Sequence, residues 1–245
     1  MTYESDLLHD WYVLFHYGTP AEILSGSAFA ESDLPDGALN FPVATVDALD
    51  QKTPVARALD IGCAVGRSSY ELSKIADEVI GIDFSRKFVD AGAAIGSGEP
   101  YPFHVYSEAH LREAKSAHLP AGSRPGNVSF EQGDAMNLRD DLGSFDLVHA
   151  ANLLCRLPEP RKFLDRLPDL VNPGGKFVIS TPATWMSEYT PAENIPPGKT
   201  LDFLKEHLAE SFEFQEVSEL PFFIREHQRK FQLSTAQTSL WIRKP

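Results

Sequence analysis

Three carboxylates stand where short apolar runs of this sequence end, and the first run leads into a turn that contains glycine. Asp60 lies within the stretch Arg57-Ala-Leu-Asp-Ile-Gly-Cys-Ala-Val-Gly-Arg67. Asp83 ends the run Val79-Ile-Gly-Ile-Asp83, and Asp134 follows a third run. The carboxyl ends of parallel strands meet at one edge of a sheet, where ligands bind in α/β proteins. We therefore expect the three carboxylates to border one site for an adenosyl or adenine nucleotide.

The glycine turn decides between classes of ligand. A dinucleotide fingerprint requires glycine at three positions, so that the backbone and a helix N-terminus can approach the pyrophosphate. Here those positions hold Gly62, Ala64 and Arg67, so the second and third places depart from the fingerprint. Asp60 would also bring negative charge close to phosphates. The turn favours a cationic ligand, and the alternative is a turn that only packs a strand against a helix.

This pattern resembles motif I of the class I S-adenosylmethionine (SAM) methyltransferases, whose cofactor carries an ammonium and a sulfonium group. The resemblance implies that Asp60 lies near the ammonium and that Asn152 lies near the methyl-transfer end. Asp83 follows the turn by about 20 residues, where a carboxylate can accept hydrogen bonds from ribose hydroxyls. The full expected cofactor set is Asp60, Gly62, Ala64, Gly66, Arg67, Asp83, Phe84, Asp134, Ala135 and Asn152.

Two of these carboxylates also have ordinary structural interpretations. Asp83 can cap the helix that begins near Ser85, and Asp134 can serve as a turn residue beside Gly133. As a ligand, Asp134 would accept from the adenine amino group while the Ala135 amide donates to the ring. Two carboxylates at successive strand ends favour the cofactor interpretation.

The elements that position these residues alternate between strands and helices, which predicts a parallel sheet covered on both faces. We expect a single domain over residues 1–245 with a Rossmann-like α/β fold, a seven-stranded mostly parallel sheet and an N-terminal helical lid over residues 1–50. Residues 96–127 form an insertion for which a strand pair and a helix both remain open. Strands are predicted at 56–61, 78–82, 128–132, 145–151 and 176–181, with a closing antiparallel pair at 213–219 and 234–243.

The composition and net charge of the chain argue against some classes of binding partner. The 245 residues carry a formal charge of −13, which argues against nucleic acid and anionic membranes as partners. No segment approaches the roughly 20 apolar residues that span a bilayer, and residues 1–10 are acidic and lack the apolar run that is typical of a signal peptide. Cys63 and Cys155 show no metal-ligand spacing, so we expect a cytoplasmic protein without a metal.

Five further segments closely resemble the mercaptohistidine N-methyltransferases of ovothiol biosynthesis. The resemblance implies methyl transfer from SAM to the side-chain-proximal imidazole nitrogen of 5-thiohistidine, giving ovothiol A. It also implies a functional link to an iron-dependent sulfoxide synthase, because in that family the module often follows such a domain. The segments are Leu14-Phe-His-Tyr-Gly18, Ala38-Leu-Asn-Phe-Pro42, Ala150-Ala-Asn-Leu-Leu-Cys-Arg-Leu-Pro158, Thr181-Pro-Ala-Thr-Trp185 and Pro221-Phe-Phe-Ile-Arg-Glu-His-Gln-Arg-Lys-Phe-Gln232.

The acceptor needs an arginine for its α-carboxylate and a group that accepts a ring proton. We expect Arg225 in the first role, His227 or His16 in the second, and Asn152 beside the reacting atoms. The full expected acceptor set is Tyr17, Asn152, Arg156, Trp185, Tyr189, Arg225, His227 and Lys230. In the alternative interpretation, residues 225–230 form a solvated charged hairpin, and Tyr17 and Trp185 belong to the core. Alternative functions are methyl transfer to another small molecule or SAM binding without catalysis.

Overall fold

A computed structural model describes residues 4–245, with nine strands and seven α-helices in that part of the chain. The strands are β1 Val55–Ile61, β2 Ala76–Asp83, β3 Tyr101–Glu108, β4 Leu111–Ala117, β5 Val128–Gln132, β6 Phe145–Ala151, β7 Val171–Thr181, β8 Phe212–His227 and β9 Lys230–Arg243. The helices are α1 Asp6–Tyr17, α2 Pro20–Leu24, α3 Phe41–Asp47, α4 Arg67–Leu72, α5 Arg86–Ile95, α6 Pro160–Leu170 and α7 Thr200–Leu208.

Seven of the strands form one sheet in the order β5-β2-β1-β6-β7-β9-β8. The first five run parallel, whereas β9 is antiparallel to both β7 and β8. β1 lies in the interior of the sheet beside the central strand β6, with Leu59 paired to Ile80 on β2 and to Val148 on β6. Burial on both faces explains why these strands are continuous apolar runs in the sequence. The predicted Rossmann-like fold is confirmed.

Helices cover both faces of the sheet and bury its side chains. On one face, Phe163 and Leu167 of α6 and Leu204 of α7 pack in the largest core cluster together with Phe177 and Trp241. On the other face, Val46 and Leu49 near α3 and Leu72 of α4 pack against Val79 and Leu147. Each fully buried side chain of this size stabilises the fold by roughly 1.5–3 kcal/mol. The two layers hold the carboxyl ends of the strands in fixed positions.

The insertion at residues 96–127 contains a strand pair, which settles the alternative that the sequence leaves open. β3 and β4 form a separate two-stranded sheet. Phe103 and Val105 point to one side, as alternation along a strand requires, and they cluster with Val13 and Leu14 of α1. The β3–β4 hairpin thus packs against α1 and stabilises its position.

The closing antiparallel pair is longer than the sequence pattern predicts. Residues 221–232 were expected between the strands, but pairing continues from Phe212 with Arg243 to His227 with Lys230. The extension is stabilised because Phe222 packs against Phe41 and Phe15 of the N-terminal helices. The expected acceptor residues Arg225, His227 and Lys230 therefore lie on the paired strands of the β8–β9 hairpin and not in a loop. No helix among residues 4–245 is long and apolar enough to cross a membrane.

Candidate cofactor and acceptor site

The turn after β1 forms a compact elbow that joins β1 to α4. Three of its residues have positive φ angles: Gly62 at 76°, Ala64 at 48° and Gly66 at 86°. At Gly66 a Cβ atom would lie 2.5 Å from the Phe130 ring, so only glycine fits there. The Gly62 and Cys63 amides both donate to the Ile82 carbonyl, at 2.8 and 3.1 Å. The elbow is therefore anchored to the neighbouring strand.

Asp83 ends β2 and fixes the elbow from the side. Its Oδ2 accepts from the Ala64 amide and its Oδ1 from the Ser85 amide, both at 2.9 Å. Burial raises the pKa of Asp83 to about 6, although the two amide hydrogen bonds oppose that shift. The helix cap of α5 is Ser85, whose hydroxyl accepts from the Phe88 amide. Asp83 is thus not the N-cap, and its carboxylate lines a cavity.

Asp60 is fully buried beneath the elbow and also lines that cavity. Its Oδ2 accepts from the Ser69 hydroxyl at 2.6 Å, and its Oδ1 lies 2.8 Å from Nδ1 of His149. On the other side, Asp134 accepts from the Met136 amide at 2.9 Å, which is the turn geometry of the alternative interpretation. Both Asp134 and Ala135 nevertheless line the cavity.

One cavity of about 590 Å³ lies at the carboxyl ends of β1, β2, β5 and β6. This volume is within the roughly 300–1,000 Å³ that is typical of small-molecule sites. The N-terminal helices close one side of it, with Phe15 and His16 from α1 and Phe41 from α3. Phe84 stands at the cavity with 73% of its surface exposed. The cavity is therefore a chamber between the sheet edge and a helical lid.

Asn152 follows β6 and adopts a φ angle of +54°. Its amide donates to the Ser180 carbonyl at 2.8 Å, which holds the strained backbone in place. Its side-chain Oδ1 is buried and has no hydrogen-bond partner among the described residues. A buried oxygen of this kind is normally satisfied, so this atom is suited to receive a donor from a bound molecule.

His16 lies in the last turn of α1 and lines the chamber. Burial lowers the pKa of its imidazole to about 3, and the nearby Arg67 acts in the same direction. The ring is therefore neutral at pH 7. Its Nδ1 is buried and unpaired within the described part of the chain. His16 thus presents a neutral nitrogen to whatever molecule fills the chamber.

Arg156 and Tyr189 line the opposite wall. The Arg156 guanidinium lies 5.0 Å from the centre of the Tyr189 ring and donates to the Thr184 carbonyl and hydroxyl at 3.0 and 3.2 Å. Stacking and these hydrogen bonds hold the planar group in one orientation. Nη1 also donates to the Cys155 carbonyl at 3.1 Å, so the Nε hydrogen and one Nη2 hydrogen of this cation remain for a ligand carboxylate.

Five of the expected acceptor residues lie outside the cavity wall, and Arg225 is one of them. Within residues 4–245, the cavity wall does not include Tyr17, Trp185, His227 or Lys230. The Tyr17 hydroxyl donates to the Val65 carbonyl, and the Trp185 indole donates to Thr200. His227 accepts from the Arg229 amide, and Lys230 pairs with Glu226. The alternative interpretation of these residues, as packing or hairpin residues, describes them better.

The expected role of Arg225 as the ligand of the α-carboxylate is also wrong. Arg225 is buried, and its guanidinium donates to the carbonyls of Ile23, Ser25 and Tyr106 at 2.9, 2.7 and 3.2 Å. These bonds tie β8 to α2 and to the insertion hairpin. Its Nη1 and Nη2 groups are therefore bonded to backbone carbonyls, and its Nε is buried without a hydrogen-bond partner among the described residues. Because Arg225 does not line the chamber, it is not placed to bind a substrate carboxylate there. In the cofactor set, Gly66 shapes the elbow without lining the cavity, and Arg67 pairs with Glu71 while donating to the His16 carbonyl.

Replacing Arg225 by alanine will lower stability instead of acceptor affinity. The variant leaves several buried carbonyls without donors, which costs about 3 kcal/mol and roughly 6–12 °C in Tm for a chain of this length. Differential scanning calorimetry measures the change, and Arg229→Ala on the same hairpin is the exposed control. A stable Arg225→Ala variant with a raised acceptor KM would restore the substrate role.

Several residues of the chamber were not expected from the sequence. Phe41 and Pro42 belong to the segment 38–42, but their position over the cavity depends on the tertiary fold. His149 gives one signal, because it is a lone histidine inside the apolar run of β6. Among the described residues, no group of three or more histidine, cysteine or acidic side chains is placed to hold a metal ion.

A family model described as a methyltransferase domain matches residues 39–235, most of the chain. The chain belongs to the class I SAM-dependent methyltransferases. Among solved structures, this methyltransferase is similar to N-methyltransferase NodS from Bradyrhizobium japonicum WM9 in complex with S-adenosylhomocysteine (SAH). That similarity has a TM-score of 0.58 at 14% identity and covers 98% of this chain and 100% of the other. At this identity, the similarity shows the fold.

Curated relatives match part of the methyltransferase. Trans-aconitate 2-methyltransferase of Deinococcus radiodurans is 29% identical over 144 residues, which are 58% of this chain and 44% of the relative. Tocopherol O-methyltransferase of Arabidopsis thaliana is 28% identical over 159 residues, 64% of this chain and 38% of the relative. The chain thus spans less than half the length of these relatives.

The cofactor of this family is SAM, and the chamber fits it. Asp60, Asp83 and Asp134 give the wall acidic groups that suit a cationic ligand. The unpaired Oδ1 of Asn152 offers an acceptor at the same site. The elbow carries no phosphate-binding glycine pattern, in agreement with a cofactor without phosphate.

Proposed function

We propose that this methyltransferase moves the methyl group of SAM to the side-chain-proximal imidazole nitrogen of 5-thiohistidine, giving ovothiol A. The observation that carries the proposal is the chamber itself. It places an acidic cofactor elbow next to a neutral imidazole, an unpaired amide oxygen and an oriented arginine. These are complementary to an amino acid with a carboxylate and a ring that must be held in one tautomer.

The cofactor assignment follows from the positions of the carboxylates. Asp83 would accept hydrogen bonds from the ribose hydroxyls, because its carboxylate is fixed beside the elbow and faces the cavity. Asp60 would lie near the ammonium group. Asp134 and the Ala135 amide would bind the adenine, and the exposed Phe84 ring would cover it.

The acceptor assignment differs from the sequence-based one in its arginine. We assign the α-carboxylate to Arg156, because Arg225 has no donor facing the chamber. The carboxylate can be bound by two donors at once, which fixes its orientation as well as its position. The Tyr189 ring stacks on the Arg156 guanidinium and holds its orientation. Asn152 accepts a hydrogen bond from the acceptor or from the cofactor.

SAM supplies a methyl group bonded to positively charged sulfur, so its transfer to a nitrogen lone pair leaves a neutral thioether. The residues of the chain contribute alignment, which accounts for most of the advantage in an in-line displacement. His16 accepts a hydrogen bond from the ring N–H of the acceptor at a nitrogen of its neutral imidazole. This contact holds one ring proton in place and leaves the other nitrogen with a free lone pair. A pKa of about 3 makes His16 an orienting acceptor instead of a strong base.

Replacing His16 by phenylalanine will lower kcat about 5-fold, since one neutral hydrogen bond contributes about 1 kcal/mol and tenfold in rate is about 1.4 kcal/mol. The phenyl ring keeps the packing against Tyr12 and Phe15. Steady-state kinetics measure the change, with His110→Phe as an exposed control. An unchanged kcat would remove His16 from the acceptor site.

The same variant tests the pKa of His16. Between pH 6.5 and 3 the unfolded chain binds a proton at His16 that the folded chain does not bind, so stability falls as the pH falls through this window. His16→Phe will remove this part of the pH dependence. Thermal melts of both proteins at pH 7.5 and 5 measure this difference. An equal fall in Tm between the two pH values for wild type and variant would contradict the buried neutral ring.

A second candidate is methyl transfer to another small acceptor. It is favoured by the partial relatives, whose names include a trans-aconitate 2-methyltransferase and a tocopherol O-methyltransferase. In that case Arg156 would bind a carboxylate of a different molecule. A third candidate is SAM binding without catalysis, which the polar groups of the chamber disfavour.

The deciding experiment incubates the purified protein with SAM and 5-thiohistidine, then identifies the product by mass spectrometry and locates the methyl group by NMR. A methyl group on the side-chain-proximal nitrogen supports the proposal. Equal methylation of plain histidine, or none of either compound, contradicts it. With 5-thiohistidine as substrate, the protein would act in the cytoplasm together with an iron-dependent sulfoxide synthase that supplies the thiol.

A further inference from the structure

His149 stands where the central strand β6 passes beneath the cofactor elbow. Its side chain and that of Asp60 are each only 1% exposed. Nδ1 of His149 lies 2.8 Å from Oδ1 of Asp60, and Nε2 lies 2.9 Å from the hydroxyl of Thr45 on α3. Both ring nitrogens are therefore bonded, and the ring has one orientation.

The chemistry of the pair sets the direction of one of these bonds. An ionised carboxylate only accepts hydrogen bonds, so Nδ1 of His149 donates to Asp60. Ser69 donates to the second oxygen at 2.6 Å. Each oxygen of Asp60 is thus held by one donor and retains acceptor capacity. Because Asp60 lines the chamber, that capacity is available to a donor on a bound molecule.

A histidine is costly at this point of the sheet. Its neighbours Val148 and Ala150 are buried apolar residues, and an apolar side chain would fill the same place without desolvating polar atoms. Removing the imidazole would leave Asp60 as a buried carboxylate with a single donor. The arrangement therefore serves Asp60 rather than the packing of β6.

We propose that His149 is a positioning residue, which orients the Asp60 carboxylate toward the ammonium group of SAM while Thr45 fixes the imidazole ring. This inference rests on the proposed cofactor assignment. It adds to that assignment a residue of the strand interior that acts through Asp60.

The test compares two variants that each keep one of the two bonds. In His149→Asn the side-chain Nδ2 takes the place of Nδ1 and still donates to Asp60. In His149→Gln the side-chain Nε2 reaches toward Thr45 and the bond to Asp60 is lost. Isothermal titration calorimetry with SAH measures cofactor affinity, and thermal melts measure stability.

We expect the Kd for SAH to stay within about 3-fold of wild type in His149→Asn and to rise about 10- to 100-fold in His149→Gln, because a hydrogen bond to a charged group is lost only in the second. Equal affinities of the two variants, or losses that follow Tm alone, overturn the inference. If wild type itself does not bind SAH, the cofactor assignment fails instead.

A measurement on the wild-type protein does not depend on the variants folding. ¹⁵N NMR of labelled histidines, with the His149 ring assigned through its proximity to Thr45, whose hydroxyl lies 2.9 Å from Nε2, shows which nitrogens carry hydrogen. We expect a hydrogen on Nδ1 and a change in its shift when SAH binds. A ring with a bare Nδ1, or one that SAH leaves unchanged, overturns the positioning role.

Discussion

Replacing Asp83 by asparagine will weaken the binding of SAH about 100-fold at pH 7.5. The substitution keeps the size of the side chain but removes a charged acceptor for two ribose hydroxyls, and hydrogen bonds to charged groups are worth about 1.5–3 kcal/mol each. It also leaves either the Ala64 or the Ser85 amide facing an NH2 group instead of an acceptor. Isothermal titration calorimetry measures the loss. Asp90→Asn is the matched control, because Asp90 is an exposed residue of α5 outside the chamber wall. Equal affinities of the two variants would remove Asp83 from the cofactor site.

The pH dependence of wild-type binding provides an independent measurement of the same group. Burial raises the pKa of Asp83 to about 6. The carboxylate is therefore ionised at pH 7.5 and becomes protonated as the pH falls below 6. If the cofactor requires the ionised form, affinity falls toward tenfold for each pH unit below this pKa. Asp83→Asn will flatten this part of the profile, and a wild-type profile that is already flat would contradict the assignment.

The elbow and its carboxylates were predictable because they depend on local structure. The strand that ends at Asp60, the glycine turn and the run that ends at Asp83 lie close together in the sequence. The parallel order of the strands then places Asp134 at the same edge. The structure also excludes the helix-cap interpretation of Asp83, because Asp83 binds the elbow amide of Ala64 and the N-cap of α5 is Ser85.

The acceptor residues were less predictable, because their roles depend on contacts between distant parts of the chain. Arg225 illustrates this point, since its partners at Ile23 and Ser25 precede it by about 200 residues. An arginine beside a histidine and a lysine has the composition of an anion site. The paired strands nevertheless bury its guanidinium among backbone carbonyls.

Phe41 of the lid and the buried His149 are chamber residues that the sequence did not predict, for the same reason. Phe41 reaches the chamber only because α3 packs against the arm of β8, where Phe222 contacts it. His149 was visible as a polar residue in an apolar strand, but its partner Thr45 is 104 positions away. Sequence periodicity predicts the faces of these elements and does not predict which faces meet.

Replacing Arg156 by glutamine will raise the KM of the acceptor about 100-fold and leave the affinity for SAH within about 3-fold. The reason is that a two-donor contact to a carboxylate is lost, at about 1.5 kcal/mol or more for each hydrogen bond, whereas the expected cofactor contacts lie at the elbow. Steady-state kinetics with 5-thiohistidine and calorimetry with SAH separate the two effects. Arg156→Lys keeps the charge without the planar fork, so we expect an intermediate KM.

Arg161→Gln is the matched control for this prediction. It makes the same change of charge five residues later, at a side chain that stacks on Phe203 and does not line the chamber. A raised KM in both variants would indicate a general loss of positive charge instead of a carboxylate site. A change in Arg156→Gln that appears only in SAH affinity would move Arg156 to the cofactor, where it would bind the methionine carboxylate. A specific rise in acceptor KM is the result that separates recognition of an amino acid from binding of the cofactor alone.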